Sequence, residues 1–302
     1  MNPAIRRRVL IALLACCICP MLAWGQETQS SLHDEAMTLF QSLDAEQRNR
    51  ATRPFDDPDR EQELFPGGPR AGIQLRELSE EQRELAMKLI QSFTSEYGAK
   101  KCEQIAAQGP QGLARYYLCF FGEPRENGNY AWRVAEHHLT LVHVEVEDGQ
   151  PARFGPILLG ADPPVLWDDE EDAIIALYAA MTPQERQLAH RRGRGISSVP
   201  LDGGGVRVGD LNPEARQRAA DVFSGRLKFF SPEIQHRIEQ IVKEKGGLEA
   251  MQLVFFGEAT RRSADGGKWD FKLGSAGFLC DYENTRGHIH MSMKGSLAQE
   301  QK

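Results

Sequence analysis

Apolar and polar positions are most clearly patterned between Leu113 and Val146. Tyr116 to Phe121 is an apolar, aromatic run that ends at Gly122-Glu123-Pro124. The polar stretch Arg125 to Asn129 separates it from a second run, which alternates through Trp132, Val134, His138 and Val142. Two β-type runs joined by a short loop rich in Gly and Asn predict a β-hairpin. Upstream, Leu85, Leu89 and Phe93 recur at helical spacing behind Ser79, with Gln82 three residues on, as a capping box requires. Asn212-Pro213-Glu214 opens a second helix, with Asn212 as cap and Pro213 in the first turn.

These elements recur in order. Leu78 matches Leu211, Gly112-Leu113 matches Gly247-Leu248, Phe120-Phe121-Gly122-Glu123 matches Phe255-Phe256-Gly257-Glu258, and Trp132-Arg133-Val134 matches Phe271-Lys272-Leu273. The offset drifts only from 133 to 139, as small loop insertions would produce. Two copies are too few for a solenoid. The fold class expected is α+β: two duplicated helix-plus-hairpin halves packed about a pseudo-twofold axis on an antiparallel or mixed sheet. The expected boundaries are a signal peptide over 1–25, an N-terminal helix and charged linker over 26–69, a first half over 70–200 and a second half over 201–302. The two halves form one compact domain over 70–295. Phe154 to Gly160 reads as an extended strand between them.

Composition changes the picture mainly at the N-terminus. Arg6, Arg7 and Arg8 precede an uncharged apolar run, Val9 to Trp24, and Ala23-Trp24-Gly25 is a small-x-small site. This predicts export, with a periplasmic, secreted or lipid-anchored destination, the last through Cys16 in Leu13-Leu14-Ala15-Cys16. No other stretch is long and apolar enough to span a bilayer. Losing three arginines takes the formal charge from −7 to −10, which argues against nucleic acid as a partner. Of six cysteines only Cys102, Cys119 and Cys280 remain beyond the leader, too few for a disulfide scaffold. Burial of Cys119 and Cys280 in strands is expected, and a bridge between them stays open.

The candidate chemistry is histidine. His288 and His290 are two apart, so on a strand both rings leave one face, a geometry suited to two imidazole ligands on one ion. His137 and His138 are adjacent, so on a strand they point to opposite faces and only one would join that site. Glu123, Asp281 and Glu283 accompany the pairs as accessory ligands or partners that orient an imidazole. Asp202-Gly203-Gly204-Gly205 lacks the lysine of a phosphate loop. No Gly-x-Ser-x-Gly elbow or His-Glu-x-x-His helix occurs.

Phe121-Gly122-Glu123-Pro124, Trp132 followed by His137-His138-Leu139-Thr140-Leu141, Gly160-Ala161-Asp162-Pro163, and Asp281-Tyr282-Glu283-Asn284-Thr285 before His288-Ile289-His290 resemble the family called domain of unknown function 3500, over roughly residues 70 to 295. The resemblance implies no established reaction. It carries over His137, His138, His288 and His290, with Asp281 and Glu283. Glu136 stands where the family has Gly, and Val142 where it has Asn. Met291-Ser292-Met293-Lys294 replaces the family's Arg and Asp-Tyr-Gly ending, which implies a member that retains binding without activity if that ending builds a catalytic centre.

The function expected is therefore an exported protein holding a transition metal (zinc, copper or iron) in a histidine cluster, with hydrolytic or redox chemistry at an open position. The alternative is a non-catalytic module that takes a small-molecule or peptide ligand in a cleft between the halves, lined by Trp132 and Trp269.

Overall fold

Apolar residues on both faces of the central strands dictate a sheet that is covered on both sides. In the computed structural model the described residues are 31–62, 70–193, 201, 204–261, 268–284 and 288–297, all within one compact unit. The leader and Cys16 lie outside them, as do Asp202, Gly203 and Thr285. A first series runs α1 (Leu32–Ser42), α2 (Ala45–Ala51), β1 (Thr52–Arg53), β2 (Ile73–Gln74), α3 (Glu80–Phe93), α4 (Glu96–Ala107), β3 (Tyr117–Phe121), β4 (Tyr130–Glu136), β5 (Leu139–Glu145) and β6 (Arg153–Ala161). A second runs α5 (Asp168–Ala180), α6 (Pro183–Ala189), β7 (His190–Arg191), β8 (Val206–Arg207), α7 (Pro213–Leu227), α8 (Pro232–Glu244), β9 (Gln252–Phe256), β10 (Trp269–Ser275), β11 (Phe278–Asn284) and β12 (Ile289–Ser296).

The protein is thus α+β, with eight α-helices among the described residues and one mixed twelve-stranded sheet. The strand order is β1-β3-β4-β5-β6-β12-β11-β10-β9-β7, with β2 and β8 added beside β3 and β9. β1 pairs with β3 and β7 with β9 in parallel, and every other pairing is antiparallel. Within the stretch expected as a charged linker, Thr52–Arg53 joins the sheet and Arg60 is buried, its guanidinium 4.3 Å from the Phe55 ring centre.

Helix starts follow their caps. Ser79 Oγ accepts from Gln82 N–H at 3.2 Å while Gln82 Oε1 accepts from Ser79 N–H at 3.0 Å, so α3 opens on the capping box its sequence predicts. Asn212 Oδ1 caps α7 by accepting from Glu214 and Ala215 N–H. The helices cover one sheet face. There Tyr130, Trp132, Val134, Leu139 and Leu141 join Phe93, Ile105, Ile234 and Ile238 in the main core. At about 25 cal/mol per Å², burying one such large side chain contributes about 1.5–3 kcal/mol. On the opposite face Cys119, Phe121, Ala131, Val142 and Val144 form a smaller cluster.

Candidate metal centre

Glu136 pairs with Leu139, so His137 and His138 are the two turn residues between β4 and β5. This corrects the reading that placed them on one continuous strand with opposed side chains. A turn is free of the pleat's alternation, and the two rings lie with centroids 3.7 Å apart. His138 has φ of 66°, a left-handed conformation that side chains take at some cost. The turn is pinned from several sides. The Gly160 N–H donates to His138 O at 2.7 Å. The Tyr116 hydroxyl donates to His137 O at 3.0 Å, and the Glu136 carboxylate accepts the His137 N–H.

The second pair arrives on β12, which lies antiparallel to β6 in the middle of the sheet, with His290 opposite Gly160. Ile289 and Met291 enter the core, so His290 leaves the other side of the strand. Gly160 is what lets the two pairs meet. A Cβ there would lie 2.8 Å from His138 Cδ2 and 2.9 Å from Ile289 O, so any side chain would displace the ring. With glycine in place, His138 Nε2 stands 2.8 Å from His288 Nε2, and His288 Nε2 stands 3.0 Å from His290 Nε2. One nitrogen each from His137, His138 and His288 lies within 4.8 Å of the others.

Carboxylates stand behind two of the rings. Asp162 Oδ2 is 3.9 Å from His288 Nδ1, and Glu283 Oε2 is 3.7 Å from His290 Nδ1. Gln108 Oε1 accepts the Asp162 N–H and fixes that loop. Sequence reasoning placed Glu283 here and missed Asp162, although the Gly160-Ala161-Asp162-Pro163 stretch was visible as a motif. Burial pushes His138 down to about 3, with His137, His288 and His290 adding to the shift. Burial also lowers His137 and His288. Neutral imidazoles are the form that coordinates metal, so no proton has to leave these rings before an ion enters. Three imidazoles whose nitrogens stand 2.8 and 3.0 Å apart, with His137 beside them, can share a proton chain or surround an ion. At Zn–N distances near 2.1 Å a tetrahedral shell needs nitrogens about 3.4 Å apart, a few tenths of an ångström beyond those seen.

The other nominated residues lie elsewhere. Glu123 is exposed beyond the end of β3, where Phe121 pairs with Ala131 at the far end of β4 from the histidine turn. Asp281 is buried and binds Ser292, accepting from its N–H at 2.7 Å and its hydroxyl at 2.9 Å. Trp132 is sealed in the core against Phe93 and His143, and Trp269 stacks on Tyr282 with centroids 5.0 Å apart. A small pocket opens on the helical face over β6 and β12, lined by Trp167, Glu170, Arg226, Phe229, Phe230 and Met291, and neither Trp132 nor Trp269 reaches it. Cys102, Cys119 and Cys280 are all buried and free, which closes the question of a Cys119–Cys280 bridge.

Fold and site together define an α+β protein with an all-histidine cluster, able to hold a metal ion, at the centre of a mixed sheet. The chain belongs to the family described as Protein of unknown function (DUF3500), whose model matches residues 25–295. No curated protein and no solved structure matches the chain. Among the described residues no helix is long and apolar enough to cross a membrane.

Proposed function

We propose that this is an exported metalloprotein that binds a transition ion through His137, His138 and His288, with His290 as fourth ligand or neighbour. The observation that carries the reading is the convergence of His137, His138 and His288, from two chain segments 150 residues apart, with His290 Nε2 3.0 Å from His288 Nε2. Imidazole nitrogens favour zinc, copper or iron over calcium or magnesium. His137, His138 and His288 would hold the ion, which would supply activation of water for attack on a carbonyl or phosphoryl centre if it is zinc, and redox chemistry if it is copper or iron. Export rests on the basic, apolar and small-residue segments before residue 26.

The same site supports a duplicated architecture. Residues 32–161 and 168–296 run through the same order of helices and strands, and the strand order reads alike inward from both edges to β6 and β12. A pseudo-twofold axis between β6 and β12 accounts for that order and sets the histidines beside it. The pocket over β6 and β12 favours, as second reading, a ligand site at the junction of the halves.

The test is elemental analysis of untagged protein reloaded with zinc, copper and iron in turn, beside His288→Ala/His290→Ala. Near-stoichiometric metal in the wild type that vanishes in the folded variant is expected. Metal-free wild type after reloading sinks the proposal and turns attention to the pocket.

A further inference from the structure

We infer that the ligand brought to this centre carries an oxyanion, a carboxylate or a phosphate, and that Arg115 receives it. The inference rests on the metal reading above and adds the class of molecule.

Arg115 ends a short 3-10 turn, Gly112–Arg115, directly before Tyr116, whose hydroxyl holds the histidine turn. Its guanidinium is fixed by its surroundings. It packs on the backbone of Gly109, where a Cβ would fall 2.4 Å from a terminal nitrogen, and its carbon lies 5.7 Å from the Tyr116 ring centre. It faces Glu136, whose carboxylate accepts the His137 N–H, and this sets the guanidinium beside the histidine turn.

Its only ion-pair neighbour among the described residues is Glu136, and that pairing is poor. The closest approach is 3.8 Å, outside hydrogen-bond range. Glu136 is shared besides: it faces Arg70 at 3.7 Å and accepts the His137 N–H. Arg115 Nε is buried with no hydrogen-bond partner among the described residues, yet the side chain keeps 22% of its exposure. A guanidinium held in place, partly open to solvent and not engaged by its carboxylate, presents a planar fork of donors. Carboxylate and phosphate oxygens match that fork two at a time. The opposite flank has the opposite charge: Asp162, 66% exposed, stands beside His288. An anionic ligand would therefore lie with its charged group toward His137 and Arg115 and its neutral part toward His288.

The experiment is calorimetric titration of zinc-loaded protein with inorganic phosphate and, separately, with acetate, comparing wild type, Arg115→Gln and Gly109→Ala. Gly109→Ala pushes a methyl group into the guanidinium and serves if Arg115→Gln does not fold. Expected is binding of at least one anion by the wild type, roughly ten- to a hundredfold weaker in either variant, with zinc content unchanged. The anion bound more tightly names the source. Equal affinity in wild type and variant, or binding of neither anion, overturns the inference. If the wild type takes up no zinc, the metal reading fails on its own. The same titrations on zinc-free protein then decide the anion site: affinity that depends on Arg115 sustains it, and its absence overturns it.

Discussion

The β4–β5 hairpin turns through His137 and His138, the β10–β11 hairpin through Ala276 and Gly277. Both are two-residue turns closing seven-residue strands. In both, the second turn residue has positive φ, 66° at His138 and 90° at Gly277. In both, its carbonyl accepts a 2.7 Å hydrogen bond from the next strand, from Gly160 in one and Ser296 in the other. The backbone demands are the same, and glycine answers them without strain. A histidine there costs about 1 kcal/mol or more, and such costs persist where the residue has another task. The difference isolates what the first turn adds to the shared geometry: the rings and not the bend.

The strongest way to break that comparison is to make the turns identical. His137→Ala/His138→Gly should abolish metal uptake in elemental analysis. In urea the metal-free variant should be about 1 kcal/mol more stable than metal-free wild type. Retained metal, or lost stability, would show that the histidines serve the fold. Next in size is Gly160→Ala, whose methyl group meets both His138 and the Ile289 carbonyl. It should cost about 1–3 kcal/mol and weaken metal binding with it.

The hairpins also differ in how they should answer acid. The first carries His143, with Nε2 3.2 Å from Glu145, which also binds Arg237 of α8 at 2.9 Å. At the matching places in the second stand Tyr282 and Asn284. Burial pushes His143 down to about 4, against the opposing pull of Glu145. The unfolded chain thus takes up a proton that the fold refuses, and stability should fall as pH drops from about 6.5 toward 4. Burial alone would raise Glu145, but the His143 hydrogen bond and Arg237 outweigh it and hold it at about 2. Its contribution is complete above 4.5 and is lost as pH falls through 4.5 toward 2. Hydrogen exchange followed from pH 7 downward should therefore release β4–β5 amides before those of β10–β11. Simultaneous release would count against this account. The smallest effect expected is at the back of a ring: Glu283→Gln should loosen metal affinity about tenfold in a competition titration, by removing the carboxylate that faces His290 Nδ1.

How far the sequence discloses this depends on whether a signal is local. The capping box at Ser79 and the Asn212-Pro213 start are local chemistry, and both helices begin where those residues place them. The strand through Ile157 and Leu159 was plain as an apolar run. The histidine turn was hidden because neither of its residues is Gly or Asn. Its trace is a change of parity: Trp132 and Val134 enter the core at even positions, Leu139 and Leu141 at odd ones. A reversal through an even number of residues converts one series into the other, and an uninterrupted strand does not. Asp162 and Arg115 reach the site through β6 and the turn before β3, and no local pattern announces a meeting made by sheet topology. The Trp132 and Trp269 rings, read as cleft walls, satisfy the ordinary pull of large aromatics into a core.

The seam between β6 and β12 also sets an order of events. His138 and His288 are 150 residues apart and become neighbours only when those two strands join. Contacts of such long sequence separation form late, after the loops between them have closed. A nascent chain that has made only its first hairpin offers the two imidazoles of one turn and no more. On the proposed metal reading, occupancy of the centre would count completed molecules: an ion would arrive as a seal on the finished sheet, not as a nucleus for it.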